Sequence, residues 1–179
     1  MEELLRFVCE GLEKRDISYM LSGSLALNAY SRPRMTRDID LVVELRTENF
    51  DRFAGIFATR DCYFHQESAK LEIVRRGMFN VIDWASGMKI DFILQKDDLF
   101  QQTEFQRRVR IPVFPAFECW VISPEDLILA KLMWIQQVFS EQQLIDVRSV
   151  IRDYPALDRT YITGWIDQLR LNDFNLFAP

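Results

Sequence analysis

Apolar residues open the chain at helical spacing. Leu4, Leu5, Val8 and Leu12 share one stripe, with Glu3, Arg6, Glu10 and Glu13 between them, which predicts a helix over 2–15. Ile17 to Leu21 reads as a short buried strand, followed by a tight turn at Ser22-Gly23-Ser24 and a helix from Leu25 to Tyr30. Arg32-Pro33-Arg34 breaks that helix. Residues 38–45 read as a strand, and Thr47 caps a helix to about Ala58 with Phe50, Phe53, Ala54 and Phe57 on one face. Residues 66–76 read as a short helix or an irregular stretch. Phe79–Trp84 and Met88–Leu94 are strands joined by Ala85-Ser86-Gly87, a hairpin signal. Residues 97–108 read as helical. From Ser123 onward the pattern is helical throughout. Ser123-Pro124-Glu125-Asp126 and Ser140-Glu141-Gln142-Gln143 carry N-cap signatures, and a third helix runs over 158–171.

Strands before residue 122 and helices after it predict an α/β (α+β) fold. A mixed sheet flanked by helices would span 1–122, and a helical subdomain over 123–179 would pack on it as one compact unit. The chain has 179 residues, 49% hydrophobic and 27% charged, which supports a globular core and excludes disordered or collagen-like classes. A net charge of −5 argues against coating nucleic acid by charge alone, though a local basic pocket remains compatible with it. Cys9, Cys62 and Cys119 are isolated and lack metal-ligand spacing, which points to a reducing compartment. The chain opens on Glu2 and Glu3 rather than a basic run, and no apolar stretch reaches the roughly 18 residues a membrane span needs. The expectation is a cytoplasmic protein with no membrane partner.

Three features bear on chemistry. Gly23-Ser24 lies between a predicted strand and helix, where backbone N–H groups and a hydroxyl can face an anion. Alone, such turns are commonplace. Asp38 and Asp40 alternate with Ile39, so both carboxylates project from one face of their strand, while Ile39, Leu41, Val43 and Leu45 form an apolar face. Adjacent acids repel unless a cation lies between them, and hard oxygen ligands of this kind suit Mg²⁺; the plainer reading is a pair of solvated acids. Asp91 stands opposite the apolar row Met88, Ile90, Phe92 and Leu94. An acid in so apolar a strand needs a metal or an ion pair with an arginine.

Together, a Gly-Ser turn, an Asp-x-Asp strand and a further Asp on a later strand resemble the DNA polymerase β nucleotidyltransferase superfamily. The run Arg34-Met35-Thr36-Arg37-Asp38-Ile39-Asp40 narrows this to small bacterial nucleotidyltransferases related to the AbiEii toxins, as do Lys131 on one later helix and Asp146 on the next. The resemblance covers about residues 17–152. It implies transfer of a nucleoside monophosphate from an NTP, such as ATP, to an acceptor hydroxyl with release of pyrophosphate. It implies that Gly23 and Ser24 bind the nucleotide and that Asp38, Asp40 and Asp91 are catalytic and hold two Mg²⁺ ions, Asp91 helping the hydroxyl lose its proton. The acceptor it suggests is a tRNA 3′ end, in a toxin with an antitoxin partner. A small molecule such as an antibiotic is the alternative acceptor, and a non-catalytic nucleotide- or partner-binding module the alternative class.

Lys131 is the one charge between Asp126 and Glu141, in apolar surroundings, and either snorkels or pairs with an anion. The resemblance favours a phosphate. Arg34 and Arg37 are assigned to phosphate or RNA backbone, and Asp146 to orienting Lys131 or the nucleotide; each also reads as an ordinary surface charge. Thr36 is expected to fix its loop. His65 is read as structural or exposed, and Glu44 and Asp83 are not chosen as the third ligand.

Overall fold

The structure is a computed structural model that describes residues 1–177. In chain order its elements are α1 (Glu2–Glu13), β1 (Tyr19–Ser22), α2 (Gly23–Leu27), β2 (Asp38–Val43), a 3₁₀ turn (Thr47–Asn49) and α3 (Phe50–Ala54). Then come β3 (Cys62–Tyr63), α4 (Gln66–Arg75), β4 (Met78–Asp83), β5 (Met88–Leu94), α5 (Leu99–Gln106), β6 (Val109–Phe114) and β7 (Phe117–Val121). Three helices close the chain: α6 (Pro124–Gln137), α7 (Glu141–Asp153) and α8 (Arg159–Leu169).

One seven-stranded mixed sheet has the order β3-β4-β5-β2-β1-β7-β6. β1 pairs antiparallel with β2, and β2 pairs parallel with β5. The period-two alternation sorts the sheet into two faces. Ile39, Leu41 and Val43 of β2 and Ile90, Phe92 and Leu94 of β5 are fully buried on one of them. There Phe53 of α3 meets Phe92 edge-on at 4.9 Å and Phe79 at 5.5 Å. Pairs of this kind add about 0.5–1.5 kcal/mol beyond area burial. The apolar stripe of α1 (Leu4, Leu5, Val8, Leu12) is buried as its spacing predicts.

The opposite face carries the charged residues. The strand registers line up Ser22, Asp40, Asp91 and Asn80 in one row, and Asp38, Lys89, Ile82 and Tyr63 in the next. α6 packs against α2, α7 and α8. Toward β4 this face opens, leaving Met78 and Asn80 exposed.

Several elements differ from expectation in extent. The helix expected over 47–58 is a 3₁₀ turn followed by a five-residue α3. Ile56 and Phe57 bond three residues back, and Ile56 seats against Gly11 of α1, which pulls the chain out of regular helix. The helix expected from Leu25 starts at Gly23 and ends at Leu27. Two strand pairings were not anticipated: β3 against β4, and the β6–β7 hairpin, whose register shifts between Pro112 and Phe114. Among the described residues no helix is long and apolar enough to cross a membrane, and Cys9, Cys62 and Cys119 are free.

Candidate active site

The turn after β1 sets the floor of the site. Gly23 has φ +63°, a left-handed conformation that favours glycine. A Cβ there would lie 1.9 Å from Asp40 Oδ2, so the missing side chain is the space the carboxylate occupies. Ser24 follows, its hydroxyl accepting from Arg34 Nη2 at 2.6 Å.

Asp40 sits between Ser22 and Asp91 by register. Burial first, then the charges of Asp91 and Asp38, push its carboxyl above the ordinary carboxylate value. Asp91 is buried, as its apolar strand requires. Its partner is a lysine rather than an arginine: Lys89 Nζ donates to Asp91 Oδ2 at 2.6 Å and lies 3.9 Å from Asp38 Oδ2. Asp91 Oδ1 is buried with no partner. Among the described residues no three carboxylate, histidine or cysteine side chains converge closely enough to hold a metal ion as they stand. In kind the donors fit a hard cation, since all are carboxylate oxygens and one is an orphaned buried acceptor.

A second cluster flanks the turn. Lys131, 3% exposed on α6, donates to Asp146 Oδ2 of α7 at 2.9 Å and to Gln143 Oε1 at 2.7 Å. It pairs with an anion rather than snorkelling. Arg34 grips the same carboxylate with Nε at 3.0 Å and Nη2 at 2.8 Å, and Gln142 donates at 3.0 Å. Burial alone would raise the Asp146 carboxyl, but the hydrogen bonds from Arg34 and Lys131 outweigh it and hold the group below its ordinary value. Burial lowers the Lys131 ammonium, against the opposing pull of Asp146. With one carboxylate between two cations, the cluster keeps one net positive charge.

Gly23, Ser24, Arg34, Lys131 and Asp146 therefore form one connected group, and Asp38, Asp40 and Asp91 share the adjoining sheet face. Arg37 is exposed on the loop before Asp38 and stands outside the network. Thr36 Oγ1 donates to the Asp38 carbonyl at 3.3 Å, fixing the loop as expected. His65 accepts from Ser68 N and caps α4. Asp83 belongs to Arg60 and Ser86. Sequence reasoning passed over Lys89, Gln142 and Gln143. Lys89 carried a readable signal, being two residues before Asp91 on the same strand face.

The position of Lys131 depends on how α6 begins. Ser123 caps the helix, accepting from Asp126 N at 3.2 Å and donating to Asp126 Oδ2 at 2.6 Å. Asp126 also accepts from Arg107 and Tyr161, and the Arg107 guanidinium lies 3.9 Å from the Tyr161 ring centre.

The fold is shared with solved structures, nucleotidyltransferases among them. The structure of ANT(2")-Ia in complex with adenylyl-2"-tobramycin superimposes with a TM-score of 0.62 at 12% identity, covering 94% of this chain and 95% of that one. The lincomycin-bound lincosamide antibiotic adenylyltransferase LnuA gives 0.57 at 12% identity, over 84% and 96%. JHP933 from Helicobacter pylori gives 0.54 at 14% identity, over 94% and 72%. These likenesses establish the fold. No curated protein sequence matches. The sequence model of the family described as "Nucleotidyl transferase AbiEii toxin, Type IV TA system" matches residues 6–158, most of the chain. On that match and this fold, the chain belongs to the AbiEii nucleotidyltransferase family of type IV toxin–antitoxin systems and is a nucleotidyltransferase.

Proposed function

We propose that the enzyme transfers a nucleoside monophosphate from an NTP to an acceptor hydroxyl, with Mg²⁺, at the sheet face bearing Asp38, Asp40 and Asp91. The observation that carries this reading is the seating of Asp40 against Gly23, beside the Ser24–Arg34–Asp146–Lys131 network. It joins an acidic cluster to a cationic one across a single glycine. Asp38, Asp40 and Asp91 would hold Mg²⁺, which when bound neutralises phosphate charge and eases loss of the acceptor's proton.

The chain's own residues supply the rest. Gly23 lets phosphate oxygens approach the backbone closely. Arg34, bonded to Ser24 of the turn, and Lys131, bonded to the same Asp146, supply positive charge to the triphosphate; Asp146 orients both. Arg37, exposed beside Asp38, contacts phosphate or the acceptor. As the acceptor oxygen bonds to the α-phosphorus, the bond from that phosphorus to the β-phosphate bridging oxygen breaks, and pyrophosphate leaves in line. The proton of the attacking hydroxyl passes to the Asp91 carboxylate. In this reading residues 1–122 carry the metal acids and the turn, and the helical part over 123–179 delivers Lys131 and Asp146.

For the acceptor we favour a tRNA 3′ end, in a cytoplasmic toxin held in check by an antitoxin. The family's toxin–antitoxin character supports a cellular target. A small-molecule acceptor is the second reading, favoured by the fold shared with two enzymes solved with antibiotic ligands. Incubation with each α-labelled NTP and Mg²⁺, with total tRNA, a protein lysate or small-molecule acceptors, tests this. Label in tRNA, lost in Asp38→Ala/Asp40→Ala, is the expected result. Label only in a small molecule moves the acceptor. No label in any fraction overturns the reading.

A further inference from the structure

The charged block on β2 and β5 is a two-by-two arrangement. Asp38 faces Lys89 in one row, and Asp40 faces Asp91 in the next. The Lys89 ammonium reaches along its own strand to Asp91 Oδ2 and lies close to Asp38 Oδ2 across the row. Two edges of Asp91 therefore differ. Oδ1 is buried, unpartnered and free to take a cation, whereas Oδ2 already holds one. The row partner of Asp91 is Asp40, whose carboxyl feels it as the largest repelling charge.

We propose that Lys89 is an internal counter-ion occupying one of two cation positions in the metal-free enzyme, and that a divalent ion displaces it when the nucleotide binds. The proposal rests on the metal reading above. Three mutually repelling acids gathered on one sheet face need a cation in the resting protein. Lys89 is the one cation in contact with any of them among the described residues. A Mg²⁺ ion would bind Asp91 Oδ2 at about 2.0–2.1 Å. An ammonium 2.6 Å from that same oxygen cannot stay beside it without strong like-charge repulsion. The ammonium has somewhere to go, because its side chain is about one-third exposed. The triphosphate adds the negative charge that makes a second divalent ion favourable. Metal and nucleotide therefore enter together, and Lys89 acts as a positioning residue for the acids until they do.

Mn²⁺ binding to the nucleotide-free full chain, followed by electron paramagnetic resonance, tests the exchange. Lys89→Met and Lys89→Gln should bind Mn²⁺ about tenfold or more tightly than the native chain, with Lys89→Arg showing no gain. In chelator, Lys89→Met should melt below the native chain, and Mn²⁺ should raise its melting temperature more than the native one's. Equal Mn²⁺ affinity in native and Lys89→Met chains overturns the exchange and leaves the metal reading standing. A melting deficit that Mn²⁺ does not repair overturns it too, because that is the mark of a purely structural lysine. No Mn²⁺ binding to any of these chains, with or without a nonhydrolysable NTP, overturns both readings.

Discussion

At the scale of single residues, Gly23 carries two constraints at once. Its backbone is left-handed, and its missing side chain is where Asp40 sits. Alanine at 23 would strain the turn and drive the carboxylate off the row it shares with Asp91. A displacement of about 1 Å at reacting groups costs on the order of a hundredfold in rate. Gly23→Ala should therefore lower kcat/KM for nucleotidyl transfer by about that factor or more, in steady-state assays, while circular dichroism shows the fold retained. A native rate in Gly23→Ala would show that Asp40 does not need its present seat. The Gly-Ser turn and the Asp-x-Asp spacing were readable from sequence because strand alternation fixes which acids share a face. The approach of Lys89 to Asp38 was not, because it crosses a β2–β5 register that only the folded sheet defines.

At the scale of elements, α5 and α6 bury acids that the site itself does not use. Glu104 of α5 is buried with Oε2 unpartnered. Burial first, then the charges of Asp126 and Asp98, push its carboxyl up to about 8, with Lys96 opposing. The folded protein then binds a proton that the unfolded chain, near the ordinary 4.5, has released. Stability from this group is full below about pH 4.5 and is lost as pH rises toward 8. Glu104→Gln should flatten that slope and, at pH 8, be more stable than the native chain by about 4 kcal/mol in urea melts. Parallel pH dependence in the two proteins would show that Glu104 does not hold its proton in the fold. Element by element, helices with a clear stripe or cap were legible: α1, α6 and α7 fall where Leu4–Leu12, Ser123 and Ser140 place them. The β6–β7 hairpin was not, because Pro112 and a largely exposed β6 erase the alternation that marks a half-buried strand. The two-residue β3 is too short to carry a period at all.

At the scale of the whole molecule, the helical part and the sheet are tied through the polar network as well as through packing. Arg34, ahead of β2, and Lys131 of α6 both close on Asp146 of α7. Removing one partner of such a buried group leaves a bare charge, at a cost of about 3–5 kcal/mol. The chain should accordingly unfold in one step. Far-ultraviolet circular dichroism and tryptophan fluorescence, which samples Trp84, Trp120, Trp134 and Trp165 from both parts, should give coincident urea transitions. Separated midpoints would mean that residues 123–179 fold as an independent unit.

The reach of that network also sets when the enzyme can first act in its own lifetime. Arg34 and Asp146 are 112 positions apart, and β1, inside the sheet, pairs with β7 through Leu21 and Val121. A ribosome adding about 5–20 residues per second separates the appearance of Arg34 and Asp146 by roughly 6–22 s. Late in that interval the nascent chain holds its glycine turn and its acids but lacks the carboxylate that binds Arg34 and Lys131 together. An enzyme wired this way cannot complete that network until Asp146 has been made.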